Sequence, residues 1–167
     1  MNTTAPFDPL LGFAEIERLV SKIYYRFSHL FMADPELREF WWEMAREEEQ
    51  HASILQACRA MIENYQDDKL DPKINGAKAD ELRAWLLAYL ERGTRSLEIE
   101  EAFRIALEIE GSEIDAIYSQ LLQLGGPQIA KTMENLGVPA SAQRLKLKGV
   151  LRRFCSDPKL LESAARL

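Results

Sequence analysis

The chain has 167 residues, 47% of them hydrophobic and 29% charged, with a mass of 19.2 kDa, a net charge of −6 and a pI near 5.1. At roughly 100–200 residues per domain this reads as one domain, residues 1–167, long enough to bury a full core. The acidic balance argues against a nucleic-acid binder, which needs a basic face for phosphates. No apolar run approaches the ~20 residues that span a bilayer. The first twenty residues carry Asp8, Glu15 and Glu17 where a secretory leader would be apolar. Cys58 and Cys155 make neither a disulfide framework nor a CxxC metal pair. The expectation is a cytoplasmic, soluble protein with no nucleic-acid or membrane partner.

Periodicity predicts helix almost throughout. Asp8-Pro9 opens the first helix, which runs to about Met32, where Ala33-Asp34-Pro35 breaks it and caps the next. On it Leu10, Phe13, Glu17, Val20, Tyr24, Phe27 and Phe31 recur at alternating spacings of three and four, one face of a helix. The second helix, from Pro35 to about Tyr65, repeats this with Leu37, Trp41, Met44, Glu48, His51, Leu55, Cys58 and Ile62. The polar stretch QDDKLDPKINGAK reads as loop. A short amphipathic helix, about Ala79 to Glu91, leads to Gly93, and a long helix is expected from Ser96 to about Leu124. Its inner face includes Phe103, Ala106, Leu107, Glu110, Ile114, Ile117 and Leu121. Gly125-Gly126-Pro127 ends it, and after a break near Gly137-Val138-Pro139 the chain should be helical to about Phe154.

Strand signals are absent. The expected fold is all-α, a four-helix bundle with a long crossover between helices 2 and 3 that contains the extra short helix. A weak repeat, AEIERLVSKIYY (14–25) over LEIEGSEIDAIY (107–118), fits a bundle of two similar hairpins.

Glu17, Glu48, His51 and Glu110 stand at core-facing positions on three helices. An unpaired buried carboxylate costs several kcal/mol, so such a set is stable when a cation lies among its members. Glu48 and His51, at i and i+3, rise ~4.5 Å along one face and can reach one ion. Carboxylates with an imidazole suit iron or manganese better than a thiolate-rich structural zinc site does. On spacing alone the alternative is that Glu17 and Glu110 lie at the bundle edge in salt bridges.

Glu17, Glu48-x-x-His51 within MAREEEQHASIL, and Glu110 within AFRIALEIEGSEIDAIY resemble the ferritin-like superfamily, and within it rubrerythrin-like proteins without a rubredoxin module. The resemblance covers residues 8–155. It implies terminal carboxylate ligands in Glu17 and Glu110, a bridging carboxylate in Glu48, an imidazole ligand in His51, and one or two iron ions (with manganese or zinc as alternatives). It implies an oxidoreductase acting with oxygen or peroxide, ferroxidase-like or peroxidase-like, a homodimer, and for some cycles an external electron donor. Tyr24 is similar to the tyrosine near the family's di-iron centre, and would be catalytic there. Otherwise it is a core aromatic.

The chain departs from the family on its last long helix, where a second Glu-x-x-His is expected. Residues 137–154 contain no Asp, Glu or His, and the equivalent positions are Ala140/Gln143 or Leu145/Lys148, depending on register. A charge-neutralising Lys146 or Lys148 in place of a second cation, and a non-catalytic bundle with a degenerate site acting in assembly or metal sensing, are the readings that follow from this departure. His29 is expected to be exposed, the cysteines to be core residues, and Ser156–Leu167 to form a short helix that packs on a neighbour.

Overall fold

The computed structural model describes residues 6–63, 68, 70–92 and 96–167. Those residues are helical and contain no strand. The ends expected at Tyr65 and Gly93, and part of the polar loop, lie outside the described residues.

Asp-Pro pairs start three of the helices. Asp8 accepts from the Leu11 amide and opens α1 (Pro9–Leu30), and Asp34 accepts from the amides of Glu36 and Leu37 and opens α2 (Pro35–Met61). Asp157 does the same through Lys159 for α8 (Pro158–Arg166). In each pair the carboxylate satisfies an orphan amide, while proline at the first helical position lacks an amide to satisfy. α3 (Gly76–Glu91) opens on Asn75, which accepts from Lys78 N.

α1 and α2 pack antiparallel along their lengths. As numbers rise on α1 their partners fall on α2: Asp8 meets Arg59, Arg18 meets Glu49, Ser21 Oγ donates to Ala45 O at 2.8 Å, and Tyr24 lies against Trp41. α7 (Ala140–Phe154) runs antiparallel to α2 in the same sense, through Gln143–Glu48, Lys146–Glu47 and Arg153–Glu36. α4 (Ile99–Glu110) docks Phe103 on the core, with ring centroids 4.9 Å from Trp41 and 5.8 Å from Phe40. α3 lies outside α1, tied by Arg83 to Glu15. Trp41, fully buried, has Tyr24, Phe27, Phe40 and Phe103 within 5.7 Å.

One sequence expectation needs correction. The long helix expected from Ser96 to Leu124 is two helices, α4 and α5 (Ile114–Leu122), separated at Gly111–Glu113. Ser112 Oγ donates to Ile109 O at 2.6 Å and accepts from Ile114 N, replacing ladder bonds with side-chain bonds at a Gly-Ser pair. The terminal helix α8 forms as expected, and it packs on this chain's α4 and α7, burying Leu160 and Ala164. Between α5 and α7 a short 3-10 turn (Gln123–Gly125) and α6 (Pro127–Glu134) complete the chain. Gly126, at φ +90°, makes the turn into α6, a conformation that L side chains rarely adopt.

Candidate metal centre

Glu17 on α1, Glu48 and His51 on α2, and Glu110 at the end of α4 are all buried, as their in-phase spacing requires. Glu17, Glu48 and His51 each present one ligand atom, and those atoms lie within 4.8 Å of one another, a group that can hold a metal ion. At metal–ligand distances of ~2.0–2.2 Å, ligands on opposite sides of one ion are ~4.4 Å apart, so small side-chain adjustments close the set.

Each member is oriented by a neighbour. His51 Nδ1 donates to Glu48 Oε2 at 3.3 Å, and Nε2 donates to Val138 O at 3.0 Å. Gln143, fully buried on α7, donates from Nε2 to Glu48 Oε1 at 2.8 Å. Among the described residues no group donates to Glu17 Oε2, and Gln143 Oε1 is likewise buried without a partner. Glu110 stands beside the trio: Tyr24 OH donates to its Oε1 at 2.6 Å.

Burial pushes the Glu17 carboxyl well above its usual range, and Glu48 adds to this by charge and hydrogen bonding. Burial also raises Glu110, together with the charges of Glu48 and Asp115, against the opposing effects of Tyr24 and His51. For His51, burial alone favours the neutral ring. The hydrogen bond and charge of Glu48, with the Val138 carbonyl, outweigh it and push the imidazole up to about 9. With both ring nitrogens donating, His51 is the resident cation among these acids when no metal is bound.

Asp115, Arg144 and Tyr118 are the neighbours that sequence reading missed. Arg144 Nη2 donates at 3.0 Å both to Glu110 O and to Asp115 Oδ2, so it braces the α4–α5 break from α7. Tyr118 lies over the His51 ring, centroids 4.5 Å apart. Burial raises the Asp115 and Tyr118 side chains above their usual ranges, each with a contribution from Glu48. Asp115 stands in the first turn of α5, just beyond the break that follows Glu110. The pairing of Tyr25 with Tyr118 in the internal repeat was the one signal at that position.

α7 takes the Ala140/Gln143 register: Gln143 points inward and Leu145 is 70% exposed. Lys146 pairs with Glu43 and Glu47, away from the trio. Among the described residues no ion pair joins Lys148 to the buried acids. His29 is exposed, and both cysteines are buried and free. No helix among the described residues is long and apolar enough to cross a membrane. Comparison of the chain with family models, curated proteins and solved structures gives no match.

Proposed function

We propose that the protein is an iron-binding, ferritin-like oxidoreductase of the rubrerythrin-like kind, acting with oxygen or peroxide through Glu17, Glu48, His51 and Glu110. The observation that carries this reading is the buried trio itself, two carboxylates and an imidazole within 4.8 Å, with one Glu17 oxygen left without a donor. A buried oxygen in that state is costly unless a proton or a metal ion satisfies it. The antiparallel pairing of α1 with α2 and of α2 with α7, with α4 completing the core, supports a ferritin-like four-helix bundle whose crossover carries α3.

An iron ion held there would supply one-electron redox chemistry. The chain's own groups prepare the site for it. Glu17 and Glu48 bring negative charge, and His51 Nδ1 faces them. The His51 Nε2–H bond to the Val138 carbonyl fixes the ring orientation, as a backbone acceptor commonly does for a ligating histidine. Gln143 holds Glu48 in place and adds no charge where the family's second Glu-x-x-His would stand. Tyr24 and Arg144 already engage Glu110 and Asp115, and this supports one well-held ion over two. A homodimer, a cytoplasmic location and an external electron donor belong to the same proposal. Gln143 in that position favours the second reading, a non-catalytic bundle with a degenerate site.

The test is anaerobic ferrous loading followed by elemental analysis and oxygen consumption, comparing the native chain with Glu17→Gln and Glu48→Ala. Glu17→Gln keeps the side-chain shape and removes a carboxyl whose charged form burial disfavours, so the metal-free fold should melt at or above the native temperature. The native chain should hold about one iron and consume oxygen, and both variants should lose both properties. Iron retained without oxygen consumption would favour the non-catalytic reading. Near-zero iron in all three would end the metal-centre reading.

A further inference from the structure

We propose that a divalent cation reaches the buried carboxylates through the cavity beneath the α6–α7 connection, passing Glu134 and Asp115 and ending on His51. This route rests on the metal-centre reading above. The cavity holds about 250 Å³, and its walls include His51 from α2, Asp115, Tyr118 and Ser119 from α5, and Glu134 from α6. At ~30 Å³ per water, a cation with six waters occupies roughly 180 Å³, less than the volume of the cavity. The cavities beside α8 and at the α1–α2 turn are lined by none of Glu17, Glu48, His51 or Glu110.

The walls run from solvent to the centre. Ser119 and Glu134 are exposed, Asp115 is partly covered, and the His51 side chain is 3% exposed. His51 is shared by the cavity and the ligand trio. Charge at the mouth favours cations, and at the inner end an arriving ion must replace the His51 proton. Glu134 accepts only a 3.4 Å hydrogen bond from the neutral Gln123 amide and has no ion-pair partner among the described residues, whereas Asp115 is paired with Arg144. The roof comes close to the floor at Gly137. A methyl group there would stand 2.9 Å from Ile54 Cδ1, 3.6 Å from His51 Cδ2 and 3.7 Å from the Tyr118 hydroxyl. No side chain from the roof therefore enters the space above His51 at that residue.

The experiment is stopped-flow loading of the full chain with Co²⁺ alone, read by quenching of tryptophan fluorescence, together with equilibrium titration. Ser119→Phe narrows the mouth, and should slow association and dissociation together by about tenfold or more while leaving Kd unchanged. Glu134→Lys should slow association by roughly tenfold at low ionic strength, with the difference shrinking in high salt, as electrostatic steering requires. Both positions are on the surface, and a native melting temperature confirms the fold of each variant. If Co²⁺ binds but both variants load at the native rate, the route is wrong and the centre stands. If native protein and Glu17→Gln fail alike to bind Co²⁺, the centre is wrong and the route falls with it.

Discussion

Alkali should loosen the metal-free protein through His51. The imidazole is held at about 9, against an ordinary value near 6.5, by Glu48 and the Val138 carbonyl. A group raised in this way contributes stability that is fully present below pH ~6.5 and is lost as pH rises through about 9. At 1.36 kcal/mol per unit of pKa the loss is about 3 kcal/mol. For a chain of this size each kcal/mol moves Tm by ~2–4 °C, so the fall should be roughly 10 °C. Glu17 and Glu110 act in the same direction, because carboxyls raised by burial resist ionising in the folded state as pH rises above their ordinary values. Bound metal reverses the trend, since its ligands must be deprotonated and its affinity grows with pH. The assay is thermal unfolding by circular dichroism in chelator from pH 6 to 9.5, native chain against His51→Gln. The native curve should fall by roughly 10 °C more than that of the variant. Parallel curves would show that His51 is not charged in the folded protein, and would refute the account of how these acids are balanced.

Two further outcomes test the packing around the centre. Trp41→Ala removes a fully buried ring that touches aromatic residues of α1, α2 and α4, and should cost about 3–5 kcal/mol in urea denaturation, enough to threaten folding. Asp34→Ala, which leaves the amides of Glu36 and Leu37 without their acceptor, should cost about 1 kcal/mol and lower Tm by ~2–4 °C.

The inner faces of α1 and α2 were legible because regular helices preserve spacing. Glu17, Tyr24, Glu48 and His51 fell at positions a 3.6-residue period marks as buried, and all four are. The Asp-Pro starts were legible because capping is local chemistry. Beyond residue 110 the expected inner positions Ile114, Ile117 and Leu121 are buried too, although the helix is broken at Gly111–Glu113. Asp115 and Tyr118 are only partly covered beside that buried face, so spacing singled out neither. Arg144 was not singled out because its partners lie 29 and 34 residues away, on α5 and at the end of α4, and no spacing rule reaches that far. Gln143 was placed by one of two registers, and only packing chose between them.

The interruption after Glu110 makes α4 and α5 separately adjustable. Adding or deleting one residue there would swing Asp115 and Tyr118 by ~100° about the axis of α5 while leaving Glu110 and Phe103 where they are. The same turn would carry the buried Ile114, Ile117, Leu121 and Leu122 out of the core, so a length change at this seam trades packing for a different vestibule above the carboxylate floor.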